Sequence, residues 1–209
     1  SAACSTSIPQ PVTASDAPRA FEDGPSAFLH EIIADLHLFK GAADATMSHG
    51  EGWRFLLLGV HLERAQLIGR LLEACFGLRR APEDHMALMG VLRMSCALEP
   101  YLRRFTSDVQ PRKVLEFLLL DEEFPRSMRF CTARIEEYLS SAARHADAGG
   151  HSPPERLAGR LRARLQYADM DEYDGASGLI SSVLEDCAAL HRSIYDTFVA
   201  YSLETRLPA

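Results

Sequence analysis

No run of apolar residues in this chain approaches the roughly 18 that a membrane-spanning helix needs, so the sequence argues against an integral membrane protein. Positive charge is also short: 22 Lys and Arg stand against 29 Asp and Glu, a formal charge of -7. Neutralising phosphates needs a basic surface, and nucleic acid is therefore not an expected partner. Glycine is not gathered into a phosphate-cradling loop. There is no Walker sequence, no dinucleotide fingerprint and no Gly-x-Ser-x-Gly elbow. No Glu or Asp has His three residues later, the spacing of two-metal carboxylate bundles, and His30-Glu31 fails the zinc-protease pattern because position 34 is alanine. No metal and no cofactor are expected. The five cysteines, at 4, 75, 96, 131 and 187, make an odd total with no close pair. They read as reduced core thiols in a cytoplasmic protein. Strand alternation is missing throughout, which leaves an all-α fold: a bundle of six or seven helices with no sheet.

What is present fits that class. A chain of 209 residues, 47% hydrophobic and 24% charged, can bury a real core as one domain or little more. Residues 1–25 are rich in Ser, Thr, Ala and Pro and read as a flexible tail or linker, leaving 26–209 as the helical domain.

The chain is organised around Ser48 to Phe76, which reads as one long helix opened by a Ser48/Glu51 capping box. Trp53, Leu57, Val60, Leu67, Leu71 and Ala74 share a face expected to be buried. Phe55, Leu58, Leu62, Ala65, Leu72 and Phe76 occupy most of the opposite side. Before it, Phe28, Ile32, Leu36, Phe39 and Ala43 mark an amphipathic helix, and the Thr46-Met47 turn suggests a hairpin of two packed helices. One helix is expected from Pro82 to Arg104, with Met86, Met89 and Met94 as gap fillers, and a nearly all-apolar one from Arg112 to Asp121. Pro125 suits the first position of the next helix, whose inward stripe is Phe124, Met128, Cys131, Ile135, Tyr138 and Ala142. Ser152 and Glu155 form a second capping box, and a final helix spans about Ala176 to Glu204.

Several polar residues could carry function. Arg64 falls inside the first apolar arc. It must pair with a carboxylate or backbone carbonyls, line a wet cavity, or snorkel outward. Arg126 and Arg129, one turn apart at a helix start, could hold an anion together with free N–H donors, or pair with Asp121 to Glu123. His191, on the apolar face of the last helix, is a ligand, a general base or a hydrogen-bonded core histidine. Arg156, Arg160, Arg162 and Arg164 could meet an acidic partner or form a solvated face paired with nearby carboxylates.

Three stretches carry a family resemblance: Thr46-Met47-Ser48 through Leu62-Glu63-Arg64-Ala65, the run FLLLDEEFPRSMRFC from Phe117 to Cys131, and GRLRARLQY with the later HRSIYDTFVAY. Together they resemble the alpha-E family of bacterial helical domains with a Glu-Arg motif. Where that family commonly reads Gly-Arg-Tyr-Leu-Glu-Arg-Ala-Asp, this chain has Gly59-Val60-His61-Leu62-Glu63-Arg64-Ala65-Gln66. Family members usually carry an earlier helical section with its own Glu-Arg motif, so the chain is expected to be the C-terminal part of a longer domain. The resemblance implies a non-catalytic helical partner of an ATP-grasp-type ligase or a transglutaminase-like protein in an amide-forming or peptide-modifying system. The alternative is an enzyme of that system, with Glu63 as acid or base and Arg64, Arg126 and Arg129 holding an anionic substrate. A section missing from the domain would leave apolar faces of the helices at Glu51 to Phe76 and Arg112 to Asp121 uncovered, and the further expectation is that the chain forms a homo-oligomer or binds a separate helical or ligase chain through that face.

Overall fold

Proline, glycine and short polar residues punctuate the chain where helices begin and end. The computed structural model describes residues 24–77, 84–143, 152–168 and 177–200. The expected tail, apart from its last two residues, lies outside them. Eight α-helices and no strand occur among the described residues: α1 Pro25–Thr46, α2 Glu51–Phe76, α3 His85–Met94, α4 Leu98–Phe105, α5 Pro111–Leu120, α6 Met128–Ala143, α7 Pro153–Gln166 and α8 Ser177–Ile194. A π-helical turn, Tyr195–Ala200, continues the last. The chain forms two compact units, Ser1–Trp53 and Arg54–Ala209.

In the first unit, Gly24 takes φ 125, a conformation that L side chains rarely adopt, and Pro25 then starts α1 with its φ already helical. The expected inward stripe of α1 is mostly outward. Ala43 is its one buried residue, whereas Leu36 and Phe39 are 60% and 58% exposed. α1 stops at Met47, whose N–H still bonds the Ala43 carbonyl at 3.0 Å. The Ser48 capping box is not formed as expected. α2 opens at Glu51, so Glu51 stands in the first turn rather than three residues inside it. The connection is held instead by His49, whose ring stacks on Trp53 with centroids 4.1 Å apart.

In the second unit, α2 buries the face that the sequence reading placed opposite. Leu58, His61, Leu62, Ala65, Ile68, Leu72 and Phe76 are inside, while Leu67 is 58% exposed and Ala74 is exposed. Gly69 explains the choice. A Cβ there would lie 2.7 Å from Cδ2 of Leu184 in α8 and 3.1 Å from Cε of Met128 in α6, so only this face admits both neighbours. α6 packs along α7, α7 along α8, and α5 lies against α6, α7 and α3. Val114, Leu115, Phe117, Leu118 and Leu119 make α5 central, as its composition demands.

The helix expected over Pro82 to Arg104 is two. Ser95 turns its hydroxyl back onto the Val91 and Leu92 carbonyls (2.9 and 3.1 Å), and Cys96 adopts φ 55. Ala97 N–H then reaches the Leu92 carbonyl at 2.7 Å, a Schellman-type stop. Pro100 accounts for the break, because its ring would clash with the Cys96 carbonyl in a continuous helix. Met86 and Met94 are 67% and 63% exposed, which corrects their reading as gap fillers.

Candidate functional site

Three of the candidate residues from sequence, Arg64, Arg126 and Arg129, lie near the turn between α5 and α6, and one carboxylate shapes that turn. Asp121, 7% exposed, accepts from the Glu123 and Phe124 N–H groups at 2.9 and 2.7 Å through Oδ1 and pairs with Arg104 through Oδ2. Ser127 donates its hydroxyl to the Asp121 carbonyl and accepts from the Phe130 N–H at 3.0 Å. This serine caps α6, which begins at Met128; Pro125, expected at the first helical position, sits in the turn before it.

Arg64, half-buried, donates from a guanidinium nitrogen to the Pro125 carbonyl at 3.1 Å. The expectation that it would find a carboxylate or carbonyls is met by a carbonyl. Arg126, the next residue along from Pro125, is half-buried with no hydrogen-bond or ion-pair partner among the described residues. Both guanidinium groups act on the buried Cys131 thiol, whose Sγ lies 3.7 Å from the same Pro125 carbonyl. Burial wins there: it pushes the thiol up to about 12, with Arg64 and Arg126 pulling weakly the other way. Cys187 is also pushed up to about 12 by burial. Cys96 is exposed, so the cysteines are not all core thiols.

Arg129 faces elsewhere. It pairs with Glu122 at 2.5 Å and lines a groove of about 580 Å³ beside α6, with Arg134, Glu136, Glu137 and Arg162. Every arginine of this groove has a carboxylate: Arg134 bonds Glu137 at 2.5 Å and Arg162 bonds Glu136. A second hollow, about 880 Å³, has Arg104, Asp121 and Arg129 in its wall. Two arginines of the basic run on α7 are likewise engaged, Arg162 with Glu136 and Arg164 with Asp186 at 3.2 Å. Glu63 is exposed, with no partner among the described residues. His191 is exposed too, because the buried line of α8 runs through Val183, Cys187 and Leu190 and leaves the next residue at its edge. Arg64 and Arg126 are thus brought to one turn, whereas Glu63, Arg129 and His191 are not brought to a common pocket with them. No group of three His, Cys, Asp or Glu side chains among the described residues is placed to hold a metal ion. No helix among them is long and apolar enough to cross a membrane.

Buried polar residues that the helical periods do not single out include His61, Asp121, Ser127 and Thr132. His61, 8% exposed, has its ring centroid 5.9 Å from those of Phe130 and Tyr138. Its place one turn from Leu58 and Ala65 was the available signal, masked by the choice of the other α2 face. Asp121 is expected from sequence only as the end of the Arg112 to Asp121 helix and a pairing partner for arginine. Its Asx-type spacing to Phe124 was the clue to a turn-forming role. The chain also holds a second Glu-Arg pair, Glu155-Arg156, where the Glu155 carboxylate accepts the Ser152 N–H at 2.7 Å and caps α7 as expected.

Comparison with known proteins agrees with the helical architecture. Uncharacterized proteins of Mycobacterium tuberculosis and Mycobacterium bovis are each 27% identical to the chain over 169 residues, 79% of its length. The chain spans about a fifth of those relatives, 19% of each. No solved structure matches it. The profile of the Alpha-E family, described as a predicted alpha-helical domain with a conserved ER motif, matches residues 7–199, and the chain belongs to that family.

Proposed function

We propose that the chain is a non-catalytic helical partner module, working in the cytoplasm beside an ATP-grasp-type ligase or a transglutaminase-like protein in an amide-forming or peptide-modifying system. One observation carries the non-catalytic part: the polar candidates are dispersed. A general acid or base must come within hydrogen-bond reach of its substrate, together with the groups that bind it. Here Glu63 is exposed, Arg64 is engaged by the Pro125 carbonyl and Arg129 by Glu122. The groove and the hollow described above are both lined by Arg129 but by none of Glu63, Arg64 and Arg126. The ligase-system assignment draws on the family resemblance alone.

The alternative, an enzyme holding an anionic substrate with Arg64, Arg126 and Arg129, draws on Arg126, which has no hydrogen-bond or ion-pair partner among the described residues and adjoins the Pro125 carbonyl that Arg64 bonds. A pull-down from the native host, read by mass spectrometry, separates the two. The module reading expects a ligase or transglutaminase-like chain to be recovered in proportion, and recovery of neither overturns it. Amide formation by the purified chain with ATP, an amine and a carboxylate would favour the enzyme.

A further inference from the structure

The apolar line on α1 repeats as Leu29, Ile32, Leu36, Phe39 and Ala43. Its steps of three, four, three and four residues are the heptad spacing of a helix that pairs with another along a left-handed seam. Much of the seam is open: Leu29 is 51%, Leu36 60% and Phe39 58% exposed, and Ile33 beside it is 50% exposed. Ala43 is buried at 6%, so the open length runs from Leu29 to Phe39. Because α1 is already helical over 22 residues, pairing would not have to meet the cost of helix nucleation.

Charge decides the occupant and its direction. With Leu29 and Leu36 at the first core position of each heptad, Ile32 and Phe39 take the second, Asp35 falls at the flanking g position and Lys40 at the next e position. In a parallel pair a g residue lies beside the e residue five places on in the other helix, so Asp35 of each copy meets Lys40 of the other. In an antiparallel pair the same residues would face their own kind. Lys40 is the only Lys or Arg of α1, and neither it nor Asp35 has an ion-pair partner among the described residues. We infer that a second copy of this chain docks on α1 in parallel, along the Leu29–Phe39 seam, with two Asp35–Lys40 ion pairs flanking it. The inference does not depend on the ligase reading, because it needs no other protein.

Sedimentation equilibrium of the purified chain tests it directly. The expected result is a reversible dimer that Leu36→Glu weakens by at least about tenfold, the loss of a buried leucine from a seam. Asp35→Lys or Lys40→Asp alone should weaken it by about fivefold, and the two together should restore it. With Cys4→Ser and Cys96→Ser in place, Leu29→Cys should form an intermolecular disulfide on mild oxidation, since parallel pairing sets residue 29 beside its counterpart. A monomer at every concentration reached overturns the inference. So does a dimer indifferent to both Leu36→Glu and the charge reversals, or one in which Leu29→Cys cross-links only when Phe39→Cys is also present, as an antiparallel pairing of the same seam would require.

Discussion

At the turn before α6, the Asp121 carboxylate satisfies two backbone N–H groups and one guanidinium while almost fully buried. Removing it leaves buried donors without an acceptor, so Asp121→Ala should cost about 2–3 kcal/mol in denaturant unfolding. Asp121→Asn keeps an acceptor for the N–H groups and should cost about half as much. Arg64 is a smaller case. Its carbonyl partner belongs to the exposed Pro125, which water can reach once the arginine is gone. Arg64→Leu, which keeps most of the packing, should therefore lie within about 1 kcal/mol of the parent. The buried thiols add a pH dependence whose sign is fixed. Cys131 and Cys187 titrate near 12 in the folded chain against an ordinary 9.0, so the unfolded chain loses those protons first. Their contribution to stability is complete below pH 9 and is lost as pH rises toward 12, by up to about 1.4 kcal/mol per pH unit for each thiol. Stability measured against pH should fall on this alkaline limb, and Cys131→Ala with Cys187→Ala should flatten it. The same burial should leave both thiols unlabelled by iodoacetamide in the native state while Cys96 reacts.

The break between α3 and α4 depends on a cysteine in a conformation that suits glycine. Cys96 holds φ 55 at the end of α3, and the left-handed region costs an L residue roughly 1–2 kcal/mol. Cys96→Gly relieves that strain at some cost in unfolded-state entropy, and should raise stability by about 0.5–1 kcal/mol. The opposite effect is expected in α2. Gly69 lies where any Cβ would press on Leu184 and Met128, and Gly69→Val should destabilise the chain by about 1–3 kcal/mol through overpacking. Thermal or denaturant unfolding of the two variants, measured side by side, should therefore move in opposite directions.

At the scale of the molecule, the exposed large apolar side chains among the described residues gather on α1 rather than on the two helices that the family resemblance suggested. α5 is covered by its neighbours, and α2 buries one full face. Leu29, Ile33, Leu36, Leu38 and Phe39, all on α1, are half exposed or more. Because these side chains add little to the monomer, Leu36→Glu with Phe39→Glu should leave the unfolding free energy of the dilute chain within about 0.5 kcal/mol of the parent. The same pair should lower the binding of a dye that reports exposed apolar surface. An unchanged dye signal would mean that the surface it reports lies elsewhere.

The helical class follows from sequence alone, because uninterrupted 3.6-residue periods and capping residues act within a few positions of each other. Ser152 with Glu155 and the apolar crowd on α5 needed no tertiary information to read. Tertiary structure decided between two acceptable faces of α2, since both are apolar in sequence and only the approach of α6 and α8 at Gly69 tells them apart. It also decided the fate of the polar candidates. A charge on a helix is placed by its own register, but whether it meets Glu122, the Pro125 carbonyl or nothing depends on residues as many as 61 positions away. Sequence spacing therefore locates the candidate residues, and the packing of distant helices determines which of them share a site.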